Sequence, residues 1–314
     1  MALIHATQEF AGRLDIMLSS LCVLILAFYV AYQRLFHPLS QFPGPFLASL
    51  TDVSQVCSFL SLRQPYYLTD LHLKYGPIVR YGPGKISITD EHAIAIIYQK
   101  SSKSMPKSDF YDAFGGIHPN VFGTRDESHH AVRRRHMSHS FSMANIKEME
   151  QYLDKNIGIL KEKISRRAET GEAFDLKKAL HYYVVDVLFE LAFSQSFGVQ
   201  KSEDDSQMPP VKAHTLLGSA MGAWPSMTAS LRKWLPKLPV RRIQSLFEGR
   251  KACVVLASSS VRRRLLDLKS PKNDAAVIKE QRKDLLTSLI LAKDPETGRR
   301  LTQVDLETEA FGFM

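Results

Sequence analysis

Seventeen residues without a charge, Ile16 to Tyr32 (IMLSSLCVLILAFYVAY), constrain this chain more than any other segment. As a helix rising 1.5 Å per residue they span roughly 25 Å, slightly short of the ~30 Å apolar thickness of a bilayer. Tyr29 and Tyr32 lie at the downstream end, and aromatic rings favour the membrane–water boundary. A cleaved signal peptide would carry a basic leader and a small-residue cleavage site. Here Glu9, Arg13 and Asp15 precede the run, and Gln33-Arg34-Leu35-Phe36 follow it. So uniform a run is also rare in a soluble domain, which weighs against a buried core helix. The segment therefore reads as a retained single-span anchor over 16–32, preceded by a short tail over 1–15. Arg13 and Arg34 balance the two ends, so the positive-inside rule assigns no orientation.

Residues 33–48 form a hinge. His37-Pro38-Leu39-Ser40-Gln41-Phe42-Pro43-Gly44-Pro45 carries three prolines, which forbid a helix and impose an extended, semi-rigid spacer. Placed directly after a membrane span, such a spacer sets how the following body stands relative to the bilayer.

That body, 49–314, is long enough for a sizeable core, and the chain as a whole, with 45% hydrophobic and 23% charged residues, has the composition of globular protein and not of a disordered chain. It reads as mainly α with a small β-sheet. Ile146, Met149, Leu153, Ile157, Leu160 and Ile164 recur at spacings of three and four, predicting one amphipathic helix ended by Gly171. Leu176, Leu180, Tyr183, Val184, Val187, Leu188 and Leu191 predict another. Ile78-Val79-Arg80-Tyr81 and Lys85-Ile86-Ser87-Ile88-Thr89 flank Gly82-Pro83-Gly84 and predict two short strands around a turn. Further helices are expected over Val211–Ala223, in a long basic stretch ending near Lys269, and over Asp284–Ala292, with a break at Pro271–Asp274.

A formal charge of +9 points to an acidic partner or simply to a solvated basic surface. Three distant cysteines, Cys22, Cys57 and Cys253, give neither a disulfide framework nor a paired zinc motif. Cys57 and Cys253 read as small buried hydrophobes.

The densest chemistry lies in Ser128-His129-His130-Ala131-Val132-Arg133-Arg134-Arg135-His136-Met137-Ser138-His139. On a helix His130 and Arg134 share a face, and a ring N–H beside a guanidinium suits a carboxylate or phosphate. A solvated arginine run competes with this reading. Metal binding by His136 and His139 lacks a completing carboxylate or cysteine. Nucleic-acid binding lacks any accompanying zinc finger, basic zipper or stacking motif.

The order of anchor, proline hinge, Lys74-Tyr75-Gly76-Pro77-Ile78-Val79-Arg80, His130-x-x-x-Arg134 with Ser138-x-x-Phe141, and Ala292-Lys293-Asp294-Pro295-Glu296-Thr297-Gly298 resembles the front portion of a membrane-anchored cytochrome P-450. The hinge wording is most similar to filamentous-fungal members. The resemblance implies that His130 and Arg134 bind a haem propionate, with His129 and Arg133, one register away, as the alternative pair. It implies a substrate-lining loop over Lys107–Phe122, where Phe110, Tyr111 and Phe114 are apolar substrate contacts or pack on their own core. It also implies that Trp224 to Pro239 covers the substrate channel at the membrane. The implied partners are lipid, a small apolar substrate and an NADPH-cytochrome reductase docking on the basic face. The implied location is the endoplasmic reticulum with the body cytosolic.

Haem-thiolate chemistry needs a cysteine axial ligand, and none of the three cysteines has the family's Gly- and Phe-bearing surroundings. Glu307-Thr308-Glu309-Ala310-Phe311 resembles the opening of the family's central helix, about two turns before its acid/alcohol pair. No catalytic residue or metal ligand is therefore assigned, and thiolate-ligated haem is not expected in these 314 residues alone. A monooxygenase by lineage and a non-enzymatic remnant or membrane-anchored binding module are the two readings.

Overall fold

The computed structural model describes residues 2–98, 105–115, 118–269, 284–294 and 296–314. The expected break at Pro271–Asp274 and Pro295 of the Asp-Pro-Glu motif lie outside them. Two compact units result, Met1–Met105 and Pro106–Met314.

In the first unit, α1 (Ala2–Ala31) runs into one π-helical turn, Tyr32–Phe36. Within Gly12–Phe36 the most apolar 18-residue window has a mean hydropathy of 2.3 and no buried residue, which makes this helix a candidate membrane anchor. The hinge beyond it is no loose tether. The buried Arg80 donates from Nη1 to the Gln33 carbonyl at 2.7 Å, and from Nη2 to Gln33 Oε1 at 2.7 Å and the Pro83 carbonyl at 2.6 Å. Its own N–H donates to the Pro43 carbonyl at 2.7 Å. A Cβ on Gly44 would stand 2.0 Å from the Arg80 carbonyl oxygen, so only glycine allows the hinge to lie so close. The Tyr29 hydroxyl adds a bond to the Leu50 carbonyl at 2.7 Å.

Short helices α2 (Phe46–Leu50) and α4 (Gln64–Tyr75), joined by α3 (Val53–Leu60), pack on the hairpin of β1 (Ile78–Gly82) and β2 (Lys85–Ile88), and α5 (His92–Ile97) follows it. The strands pair antiparallel, Ile78 opposite Ile88, as the alternating sequence predicts. Cys57 corrects the expectation of a buried hydrophobe: it is exposed on α3.

In the second unit, a 3-10 turn (Asp109–Phe114) precedes α6 (Glu127–Ser140), α7 (Met143–Glu148), α8 (Glu150–Thr170), α9 (Leu176–Phe193), α10 (Val199–Ser202), α11 (Val211–Ala223), α12 (Pro225–Leu231), α13 (Arg241–Lys269), α14 (Leu285–Leu291) and α15 (Gln303–Gly312). The single helix expected across Ile146–Ile164 is broken at Met149. There the N–H bonds back three residues to Ile146, tightening the turn, while the side chain is fully buried. Gly171 ends α8 in the left-handed region, φ 66°.

The core joins Met149 to Phe189 and Phe193 of α9, Cys253, Ala257 and Val261 of α13, Leu286 and Leu289 of α14, and Leu306, Ala310 and Phe311 of α15. Each large side chain buried there contributes about 1.5–3 kcal/mol. Helix α15 starts earlier than the apolar sequence suggests, because Thr302 and Asp305 form a capping box.

Candidate functional site

Helix α6 carries the histidine–arginine cluster and is nucleated by Asp126, whose carboxylate accepts the His129 N–H at 2.8 Å. Three of its four successive basic residues, Arg133, Arg135 and His136, point to different partners. Arg133 reaches α15, donating from Nη1 to Glu309 at 2.6 Å and from Nη2 to Asp305 at 3.2 Å. Arg135 reaches Asp294 at 3.4 Å and Glu296 at 3.0 Å. His136 is buried, with ring nitrogens 3.0 Å from the Val132 carbonyl and 3.3 Å from the Arg299 carbonyl. These contacts fix the rotation of α6 and commit Arg133 to α15, away from the alternative pair with His129.

His130 and Arg134 remain on a different face, four residues apart. His130 is half-buried and Arg134 exposed. Among the described residues neither makes a side-chain hydrogen bond or ion pair. Burial holds the His130 pKa below its ordinary 6.5, with Lys107 and Arg134 pushing the same way and Glu127 opposing. His130 is thus a neutral N–H donor near pH 7, and the positive charge comes from its neighbours. Lys107 is one of them, a residue that spacing along α6 could not disclose. Its Nζ donates to the Phe122 carbonyl at 2.7 Å and the Val121 carbonyl at 3.2 Å, which aims the ammonium from the preceding loop.

Phe110, Tyr111 and Phe114 are half-buried on the 3-10 turn. Phe110 lies 5.3 Å from Phe114 between ring centroids, and Phe114 and Tyr111 lie 5.4 and 5.3 Å from Phe122. Gly218 and Gly222 let this turn seat on α11: a Cβ on either would come within 3.0 Å of Phe114 or Phe110. A cleft of about 320 Å³ lies along the same elements, lined by Asp109, Asp112, Met221, Thr228 and Arg232 among others. Beyond α12, Trp234 is exposed, with the Lys237 ammonium 5.1 Å from its ring centroid.

The family model described as Cytochrome P450 (here cytochrome P-450) matches residues 40–314. The chain belongs to the cytochrome P-450 family. Benzoate 4-monooxygenase of Aspergillus niger is 30% identical over 312 residues, covering 92% of this chain and 58% of the relative. A cytochrome P-450 monooxygenase of Aspergillus flavus is 35% identical over 199 residues, 61% of this chain and 38% of the relative. The gsfF cytochrome P-450 monooxygenase of Penicillium aethiopicum is 34% identical over 184 residues, 57% of this chain and 36% of the relative. The chain thus spans 58% or less of the length of these relatives.

Complete cytochrome P-450s carry haem, draw electrons from a redox partner and act on apolar substrates. The donor set on this chain suits the acidic edge of haem. Arg134 has no acidic partner among the described residues, and His130 and Lys107 lie close enough to interact with it electrostatically. A propionate would neutralise charge that the protein leaves uncompensated. Cys253 is fully buried in the apolar core, where burial pushes its thiol up to about 11. Cys22 lies on the candidate anchor and Cys57 on the surface of α3.

Proposed function

We propose that this chain is the anchored front portion of a fungal haem monooxygenase. The complete enzyme would insert one oxygen atom into a small apolar or aromatic substrate, in a secondary-metabolic setting. Its domain order is a tail over 1–15, an anchor over 16–32, a hinge over 33–48 and the front of a cytochrome P-450 domain over 49–314. The observation that carries this reading is the pair of uncommitted groups on α6. Arg134 neutralises a haem propionate, His130 donates a neutral N–H beside it, and Lys107 holds positive potential over both. Bound haem would supply the iron chemistry of oxygen activation. The chain's own residues position haem at its acidic edge and present Phe110, Tyr111 and Phe114 to the substrate.

The anchor would sit in the endoplasmic reticulum membrane with the body cytosolic. Trp234 and Leu235, beside Arg232, Lys233 and Lys237, would rest at the lipid surface, because apolar and basic side chains together suit an anionic interface. The remaining basic surface would receive an acidic NADPH-cytochrome reductase.

No cysteine of the 314-residue chain is proposed as axial ligand. The purified chain, given hemin, reduced and exposed to carbon monoxide, is predicted to lack the long-wavelength Soret band of thiolate-ligated haem. Appearance of that band would sink the assignment. Arg134→Gln should weaken hemin binding by about 10- to 100-fold, the effect of losing one charge-assisted bond; unchanged binding removes Arg134 from the site.

A further inference from the structure

Three helices of the second unit converge on Phe311. The His214 ring of α11 lies 4.5 Å from it between centroids, and the Arg250 guanidinium of α13 lies 5.6 Å from its centroid. Arg250 Nη2 donates to the Gly115 carbonyl at 2.6 Å. Its Nη1 is buried and has no acceptor among the described residues. His214 is 6% exposed, and its Nδ1 is likewise buried without a partner.

No acidic side chain among the described residues pairs with this guanidinium. Burial, then the repulsion of Arg232, lowers the Arg250 pKa to about 10, so it remains charged at neutral pH. Burial and Arg250 lower the His214 pKa to about 4, so His214 is a neutral ring able to donate from Nδ1. A desolvated cation without a counter-charge is unfavourable, and an anion that completes it is bound strongly. Gly115, which Arg250 grips, directly follows the turn bearing Phe110 and Phe114. The unmatched donors therefore lie next to an aromatic cluster.

We propose that Arg250 and His214 form a carboxylate-recognition site for an aromatic acid, whose ring is received by the apolar side chains of the 109–114 turn. Naming that acid a substrate rests on the monooxygenase reading; the anion site itself does not. Arg250 supplies charge and one N–H, His214 a second, neutral N–H, and together they discriminate an acid from its uncharged analogue. A site built on hydrogen-bond donors rejects a ligand that leaves them unpaired.

The test uses the full 314-residue chain in detergent micelles, with benzoate and neutral benzamide as probes in calorimetric titrations. Benzoate is expected to bind about 10- to 100-fold more tightly than benzamide, the range for one charge-assisted contact. Arg250→Gln should abolish that preference and His214→Phe should reduce it, with helicity by circular dichroism unchanged. Should Arg250→Gln unfold, Arg250→Lys carries the test. It keeps the charge but not the planar fork, and must lower benzoate affinity without altering that of benzamide. Equal affinity of the two probes for the unaltered chain overturns the proposal. Hemin titration of the same samples reads the other claim separately: hemin bound without a benzoate preference removes the carboxylate site and leaves the cytochrome P-450 site standing.

Discussion

The chemistry of α6 depends on which protonation state each side chain holds. His130 is kept from charging by burial and by two cationic neighbours, Lys107 and Arg134. Its folded pKa lies below 6.5, so the unfolded chain takes up this proton at higher pH than the folded chain does. The stability tied to neutral His130 is therefore present above pH 6.5 and is lost as pH falls towards the folded pKa. A bound carboxylate reverses the local balance. In proton–carbon NMR the His130 ring signal is predicted to titrate below 6.5 in the free chain and to move upward on adding metal-free mesoporphyrin, which carries two propionates. A titration at the ordinary value that the porphyrin leaves unmoved counts against the clamp. Sequence spacing alone placed His130 and Arg134 on one face. It could not disclose Lys107, which arrives through the loop carbonyls of Val121 and Phe122. Arg250, by contrast, had a readable signal. It falls on the buried stripe Leu246, Cys253, Ala257 and Val261 of α13, where a charge at core spacing is anomalous.

Among the helices, the α6–α15 contact is the one whose loss would displace the site. Arg133 bridges Asp305 and Glu309, one turn apart on α15, and Glu309 also accepts the Val121 N–H at 3.0 Å. Burial pushes the Glu309 pKa up against the pull of Val121 and Arg133. Removing the arginine would strand a desolvated carboxylate, whereas removing the charge from Glu309 relieves that cost. Arg133→Met is predicted to destabilise by about 3–5 kcal/mol, read from urea midpoints. Glu309→Gln, which still accepts from Val121, should cost clearly less; a larger loss for the glutamine variant contradicts this account. The helices themselves were legible from period and caps, including α9, α11 and α13. The break at Met149 was not, because its apolar spacing continues unbroken across the bend. The early start of α15 was written in Thr302-x-x-Asp305, a polar capping signal outside the apolar pattern.

For the whole molecule, the long apolar helix is the candidate membrane anchor. The apolar window within Gly12–Phe36 has no buried residue in the fold, and a stretch of 25 residues reaches about 37 Å as a helix, enough to span with tilt. The full chain is predicted to stay with membranes through alkaline carbonate extraction. A chain beginning at Pro38 should be released into the soluble or aggregated fraction, and retention of that shortened chain in the bilayer would place the anchoring elsewhere. The hinge shows why membership in a family is not the same as geometry. Its prolines predicted a spacer, but only the structure shows Gln33 held by Arg80, and Gly44 laid against β1. The Arg80–Gln33 and Tyr29–Leu50 bonds therefore make α1 an axle and not a rope. Tyr29 and Gln33 lie one turn apart on the same helical surface, and both are fastened to the first unit. The azimuth of the candidate anchor helix and that of the rest of the first unit are thus a single quantity. An unrelated apolar helix grafted in place of Gly12–Phe36 would leave the rest of the unit free to swivel about it unless those two side chains were carried across in phase.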